Sequence, residues 1–409
     1  MQAALRKGLV PSDLFCRLTK SKPVALAVSG GSDSMALLRL FAAWPDRPAA
    51  TVLTVDHGLR PESADEAGQV AMWCKSAGLS HVTLRWEGAK PATGLQAKAR
   101  NARYNLMAGW CREHDVSCLL TAHTMDDQAE TVLMRLARTT SFDSLAGIPA
   151  LGAWQGLEVI RPFLKLRREE LRHHLRDLGQ DWIDDPSNAD RRFERVRIRQ
   201  ALPVLEGLGI TTEGLSHLAE AAREVSDGLR GATEDWVKHH VEVFETGYCE
   251  VPLEAFIDQT ETLKTRILGW LIARLGAGTM PEPGELELLA AWVDVGGSRR
   301  TLGGALIGRR KDHLIIGREP GRIAKQVFTI SESGLGVWDH RFEVRAAPGS
   351  RVTALCDTEG AKTLPRAKSL PAFVQQALPA ITLPGGALCV PHLAVGSGAT
   401  AMFQARFPG

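Results

Sequence analysis

The chain has seven cysteines, at 16, 74, 111, 118, 249, 356 and 389, and no two of them form a CxxC pair. Without such pairs, zinc ribbons, thioredoxin-like redox motifs and iron–sulfur ligation have no support. An odd number of scattered cysteines is the pattern of reduced thiols in a cytosolic protein. A dominant charge is also missing: 49 basic residues stand against 47 acidic ones, a net charge of +2. Bulk charge therefore neither argues for nucleic acid nor excludes it, and any such surface has to be a local patch. No run approaches the ~20 apolar residues of a membrane helix. The opening residues, Met1-Gln-Ala-Ala-Leu-Arg-Lys-Gly8, lack the apolar stretch of a secretory signal, so a cytoplasmic location is expected. There is no internal repeat and no low-complexity tract.

What is present is an ordinary globular composition, 44% hydrophobic over 409 residues, a length that predicts two to three domains. Strand-like segments at 24–28, 51–55, 81–85 and 117–121 alternate with helical patterns at 32–43, 63–77 and 96–114. A further helix is predicted at 125–138. Strands spaced by helices predict an α/β fold with a parallel sheet and right-handed crossovers. Ligands of such sheets bind beyond the carboxyl ends of the strands. Residues 161–205 are basic and turn-rich, and 212–244, 253–275 and 283–293 read as helices. A hairpin is predicted from 301–307 and 313–316 around Arg309-Arg310-Lys311. Residues 317–322 read as a linker, and 325–409 as a small β-containing end domain. The expected domains are 1–205, 206–318 and 325–409.

Three motifs follow strands and are expected to converge on one edge of the sheet. The first is Val24-Ala-Leu-Ala-Val-Ser-Gly-Gly-Ser-Asp-Ser34, a strand, a glycine turn and a helix start. Free N–H groups and the helix dipole make such a start an anion site. Gly30 and Gly31 permit close backbone approach, and Ser29, Ser32 and Ser34 add hydroxyls. No Lys follows the glycines, so this is neither GxxxxGK[ST] nor GxGxxG. The second is Asp56-His-Gly-Leu-Arg60 through Ser63 and Glu66. Ser63 reads as a helix N-cap with Glu66 completing a capping box, and His57 and Arg60 lie at the site edge. The third is Thr121-Ala-His-Thr-Met-Asp-Asp-Gln-Ala-Glu130. His123, Asp127 and Glu130 share a helical face, suited to holding Mg²⁺ on a triphosphate or to accepting a proton. The plainer reading is helix-start chemistry, since carboxylates there are favoured by the dipole. On the helix after Gly94, Lys98, Arg100, Arg103 and Tyr104 make a basic surface with an aromatic, able to grip phosphate or stack a base.

The Ser29–Ser34 loop resembles the SGGxDS loop of the PP-loop, or N-type, ATP pyrophosphatases, which cleave ATP to AMP and pyrophosphate and adenylate a substrate oxygen. These blocks occur in order with Arg161-Pro-Phe-Leu164 and with Asp184-Asp-Pro-Ser-Asn188 through Arg199. Together they resemble the bacterial tRNA(Ile)-lysidine synthetases over roughly 20–205, and Gly297-Gly-Ser-Arg-Arg-Thr-Leu-Gly-Gly304 fits the longer members. The resemblance implies a Rossmann-like PP-loop ATPase domain, then a mainly helical tRNA-binding domain and a small C-terminal recognition domain. It implies that ATP, with Mg²⁺, adenylates the C2 oxygen of the wobble cytidine in a CAU-anticodon isoleucine tRNA. The free L-lysine ε-amine then displaces AMP to give lysidine.

On that resemblance Ser29, Gly30, Gly31, Ser32, Asp33, Ser34 and His57 bind the nucleotide. Asp33, Asp126 and Asp127 are catalytic, with Asp33 or Asp127 able to ligate Mg²⁺. Arg60, Arg100, Arg103, His123, Glu130, Arg195 and Arg199 contact lysine or tRNA. A lysine amine with a pKa of about 10.4 needs a base or a desolvated pocket to act as nucleophile, and Asp126 or Asp127 is the expected group. Two positions depart from the family pattern: Thr124 stands where His is frequent, and Val196 where Asn is frequent. Residues 161–199 hold eleven basic side chains against eight acidic ones, several of them expected to meet tRNA phosphates, so that binding weakens steeply with salt. Another PP-loop tRNA-modifying enzyme and a non-catalytic tRNA-binding relative are the alternatives. The oligomeric state, a homodimer included, is open.

Overall fold

The structure, a computed structural model, describes residues 18, 22–58, 61–88, 90, 94–138, 141–185, 190–323, 327–359, 364, 367 and 369–404. Two compact units divide the chain, Met1–Ser226 and Asp227–Gly409.

In the first unit β1 (Val24–Ala27), β2 (Ala50–Asp56), β3 (Ser80–Arg85) and β4 (Cys118–Leu120) are each followed by a helix. These are α1 (Ser32–Ala42), α2 (Ser63–Ser76), α3 (Leu95–Glu113) and α4 (Met125–Leu136). A short α5 (Phe142–Leu145) and the strands β5 (Leu151–Trp154) and β6 (Leu157–Ile160) come next. Then follow α6 (Arg168–Asp177), α7 (Glu194–Gly207) and α8 (Thr212–His240), within which the unit boundary falls. The sheet order is β3-β2-β1-β4-β6-β5, parallel except for the β5–β6 pair. That pair is an addition to the four predicted strands. Gln155 and Gly156, at φ +49° and +84°, form the two-residue turn whose twist suits a hairpin.

Both faces of the sheet are covered, as parallel strands require. Val24, Leu26 and Val28 pack with Phe41, Leu171 and Leu175 on one face. Ala25 packs on the other face with Tyr104, Met107 and Leu119. This alternation places α1 and α6 on one side of β1 and α3 on the other. The predicted Ser63 cap is corrected. Ser63 lies inside α2 and its hydroxyl donates to Asp56 Oδ1 at 2.7 Å, tying the helix to the end of β2.

The second unit begins with β7 (Glu242–Phe244), β8 (Tyr248–Pro252), α9 (Leu253–Ile257), α10 (Glu261–Leu275) and α11 (Pro283–Asp294), and continues with β9 (Arg299–Leu302), β10 (Ala305–Arg310) and β11 (His313–Arg318). Its five-stranded sheet has the order β7-β8-β11-β10-β9 and packs its apolar face on α10 and α11. The predicted strand 301–307 is broken in two, because Gly303 and Gly304 take φ +56° and +74° and reverse the chain. Two small sheets follow, β12 (Phe328–Thr329) with β15 (Arg351–Ala354), β16 (Pro379–Thr382) and β17 (Leu388–Cys389), and β13 (Leu335–Trp338) with β14 (Phe342–Ala346) and β18 (Ala399–Phe403). Buried Arg318 of β11 donates to both oxygens of Asp339 at 3.0 Å, and Arg341 donates to the same carboxylate at 2.8 Å. Among the described residues six cysteines are free, and only Cys356 of them is exposed. No helix among them is long and apolar enough to cross a membrane.

Candidate active site

The chain leaves β1 toward β2 on one side, while β4 and β6 lie on the other side of β1. Connections that depart in opposite directions open a crevice at the carboxyl ends of β1 and β4. The loops 29–31 and 121–124 flank it.

The glycine loop is held from three directions. Ser29 N–H donates to Ser34 Oγ at 3.2 Å, and Ser34 Oγ donates to the Gly31 carbonyl at 2.9 Å. The Gly30 carbonyl accepts the Ile183 amide at 2.9 Å. Gly31 precedes α1 without a side-chain cap, which leaves the first-turn amides of α1 available to an anion. Gly30 has φ +89°, and a Cβ there would stand 2.7 Å from Ile183 Cδ1 and 3.1 Å from Val70 Cγ2. Gly30→Ala is expected to cost about 1–3 kcal/mol from the backbone conformation alone. Urea unfolding checks this, and a wild-type midpoint would show that the loop relaxes freely.

The acidic motif begins α4. Thr124 caps the helix, and its N–H and hydroxyl donate to Asp127 Oδ2 at 2.9 and 3.1 Å. The structure has the helix-start chemistry: Asp127 Oδ2 closes a capping box while Oδ1 turns to a cation. That cation is Arg168. Its Nη2 lies 3.2 Å from Asp127 Oδ1, its Nε 2.9 Å from Asp33 Oδ2, and its Nη1 3.7 Å from Glu130 Oε1. Its backbone N–H donates to Asp126 Oδ2 at 2.7 Å. Arg168 is pushed up by these carboxylates against the effect of its burial. Burial raises the Asp33 carboxyl above the usual range despite Arg168. Asp127 goes the other way: burial opposes ionisation, but Arg168, His123, Arg195 and the Thr124 N–H together hold it below the usual range. Two carboxylates on one guanidinium are thus shifted in opposite directions.

Glu130 is fully buried, and it faces protein cations rather than an open cleft. Arg195 Nε lies 2.8 Å from its Oε2 and Arg199 Nε 2.7 Å from its Oε1, both from α7. Arg103 Nε is buried without a hydrogen-bond partner among the described residues, as is His57 Nδ1. Burial pulls the Arg103 guanidinium down, with Arg100 and Arg195 adding to the effect. His57 is lowered by its burial and by Arg103. His123 shares a hydrogen bond with Thr121 Oγ1 at 3.0 Å and is pushed down to about 3, first by burial and then by Arg100, Arg161 and Arg103. The crevice therefore carries cationic charge beside a neutral imidazole.

An imidazole held neutral in the folded chain gains a proton on unfolding below about pH 6.5. Between that pH and about 3, the unfolded state binds more protons at His123, so stability falls as pH falls. Asp127 acts in the same direction at lower pH and Asp33 against it. His123→Gln is expected to flatten the decline between about pH 6.5 and 4, measured by urea unfolding at each pH. An unchanged slope would remove His123 as its source.

Most of the predicted residues come together here: the Ser29–Ser34 loop, His57, Arg100, Arg103, His123, Asp126, Asp127, Glu130, Arg195 and Arg199. Arg60 and residues 186–189 lie outside the described residues. Several members of the basic group at 161–199 are bound within the protein. Buried Arg161 donates to the Pro149 carbonyl at 2.8 Å, and Arg167 lies 2.7 Å from Glu213 and 3.5 Å from Asp126. Arg191 and Arg197 remain exposed. Both family departures sit at buried positions: Thr124 is the α4 cap, and Val196 is packed away from solvent. Arg168 and Ile183 escaped the sequence analysis as site residues. No local pattern distinguishes Arg168 from its basic neighbours, and Ile183 is one more apolar residue.

A parallel sheet with an uncapped glycine turn after its central strand defines a PP-loop nucleotide-binding protein, and the family model described as a PP-loop domain matches residues 6–205. Similarity to particular proteins runs further along the chain. It is 38% identical over 326 residues to the tRNA(Ile)-lysidine synthase of Rhodopseudomonas palustris (strain ATCC BAA-98 / CGA009), covering 76% of this chain and 94% of that one. It is 41% identical over 310 residues to that of Methylobacterium sp. (strain 4-46), covering 73% and 90%. With that of Rhizobium meliloti (strain 1021) the identity is 34% over 397 residues, 93% of this chain and 84% of that one. The chain belongs to the tRNA(Ile)-lysidine synthase family.

Proposed function

We propose that the protein ligates free L-lysine to C2 of the wobble cytidine in the CAU anticodon of isoleucine tRNA, in the cytoplasm, at the expense of ATP. The observation that carries the reading is the meeting of the uncapped glycine loop with the ionised Asp127 across the β1/β4 crevice. The first suits an anionic nucleotide and the second a cationic amine.

The amides and hydroxyls of Ser29–Ser34 take the phosphates of ATP, and His57 lies against the nucleoside. The cytidine C2 oxygen attacks the α-phosphorus and pyrophosphate leaves. Fixed donors at the helix start stabilise charge gathering on the α-phosphate. The lysine amine then forms the bond to C2, AMP departs with the former C2 oxygen, and the amine proton passes to a carboxylate. Asp127 holds the ammonium and receives that proton, with Asp126 beside it. His123 is a neutral hydrogen-bonding partner, and Arg100, Arg103, Arg195 and Arg199 supply positive charge toward tRNA phosphate or pyrophosphate. Among the described residues no three His, Cys, Asp or Glu side chains form a metal-binding group. Asp33 or Asp127 would hold Mg²⁺ that arrives on the triphosphate. Bound there, it would neutralise triphosphate charge.

Labelled lysine, ATP and Mg²⁺ with an unmodified CAU-anticodon isoleucine tRNA transcript test the proposal, beside a methionine tRNA control. Incorporation into the first alone is expected. Binding of tRNA without incorporation would favour a non-catalytic relative.

A further inference from the structure

Arg168 joins parts of the chain that are remote in sequence. Its bond to Asp33 spans 135 positions, and its bond to Asp127 spans 41. Asp33 stands in the first turn of the helix that follows the glycine loop, and Asp127 in the first turn of α4. The guanidinium presents separate nitrogens to the two carboxylates, a fork that a point charge does not reproduce.

The arginine is itself firmly placed. Leu171 and Leu175 of α6 are buried against α1 in the main core. Four residues along α6, Arg172 Nε donates to Ser32 Oγ at 3.3 Å. Met125 N–H donates to the Leu166 carbonyl at 2.9 Å, which fixes the approach to α6 against the start of α4. Helix α6 is therefore a strut with one edge on the glycine-loop helix and its first turn on the acidic helix.

We infer that Arg168 is the positioning residue that sets the separation of the two halves of the site, gripping Asp33 on the nucleotide side and Asp127 on the lysine side. The inference rests on the proposed function. The charged and polar groups around this junction are Asp33 and Ser32 of α1, Asp127 and Glu130 of α4, Asp126 at the Arg168 amide, Arg172 of α6, Arg195 and Arg199 of α7, and His123 beside Asp127.

The experiment compares wild type with Arg168→Gln, Arg168→Lys and Arg168→Ala in lysine incorporation, tRNA-dependent pyrophosphate release and amide hydrogen exchange. Arg168→Gln is expected to lower kcat about 10²–10³-fold. Arg168→Lys should recover only a small part, since one ammonium reaches one carboxylate. Added guanidinium ion should partly rescue Arg168→Ala. Faster exchange at both 29–36 and 124–131 is expected in Arg168→Gln, with exchange in the second unit unchanged. Absence of guanidinium rescue would overturn the inference and leave Arg168 a structural residue. If wild type incorporates no lysine, the proposed function fails first. Hydrogen exchange then decides the role of Arg168, because unchanged protection of either segment would overturn it.

Discussion

Asp127→Asn is expected to reduce lysine incorporation by about 10²–10⁴-fold while the protein stays folded. The asparagine oxygen still accepts the Thr124 amide that now bonds Oδ2 at 2.9 Å, so the start of α4 is kept. Two properties disappear. The charge that faces Arg168 Nη2 at 3.2 Å is gone, and with it the attraction for a lysine ammonium. The proton acceptor is gone as well, so an amine with a pKa of about 10.4 stays protonated near neutral pH. Formation of the adenylated cytidine does not use the amine, so tRNA-dependent pyrophosphate release should persist better than incorporation. Steady-state kinetics of both steps, with a thermal unfolding control, check this. Equal loss in the two steps would move Asp127 from lysine chemistry to support of the whole site, and full incorporation would remove it from the mechanism.

The largest effect on stability is expected from Glu130→Gln, about 3–5 kcal/mol. Glu130 is the fully buried acid between Arg195 at 2.8 Å and Arg199 at 2.7 Å, with Arg168 at 3.7 Å. A neutral amide leaves these guanidiniums without their shared counter-charge, and that desolvation is what makes half of a buried ion pair costly. Helix α7 is also seated by Leu202 against Ala129 and Val132, so it should loosen without the first unit unfolding entirely. Urea unfolding followed by a probe on α7 separates the two outcomes. Replacing Glu130, Arg195 and Arg199 together by apolar residues should recover much of the stability but not the activity. A cost below about 1 kcal/mol for Glu130→Gln would mean that the arginines find solvent instead.

Local chemistry explains what could be read beforehand. The run 24–28 is a short continuous apolar segment rich in Val and Ala, and Ser29-Gly-Gly-Ser-Asp-Ser34 carries a turn and a helix start in six residues. Thr124 and Asp127 are three apart, the spacing at which a cap and its partner meet. The strands β5 and β6 escaped because four-residue strands joined by Gln155-Gly156 carry little periodic signal. The strand 301–307 was overextended because the apolar pattern hid two reversing glycines. Ser63 was misplaced by one position because Asp56, from another element, takes its hydroxyl.

Sequence alone thus determined the α/β order, the strand-loop-helix motifs and the chemical kinds of residue at the site, since each depends on neighbours within about one helical turn. Tertiary structure decided which arginines are spent inside the protein and which face the crevice. It placed Glu130 between Arg195 and Arg199, left Arg103 Nε without a hydrogen-bond partner among the described residues, and brought Arg168 onto Asp33 and Asp127. The reason is that ion pairing and burial depend on distances between elements, and no local pattern encodes a contact across 135 positions.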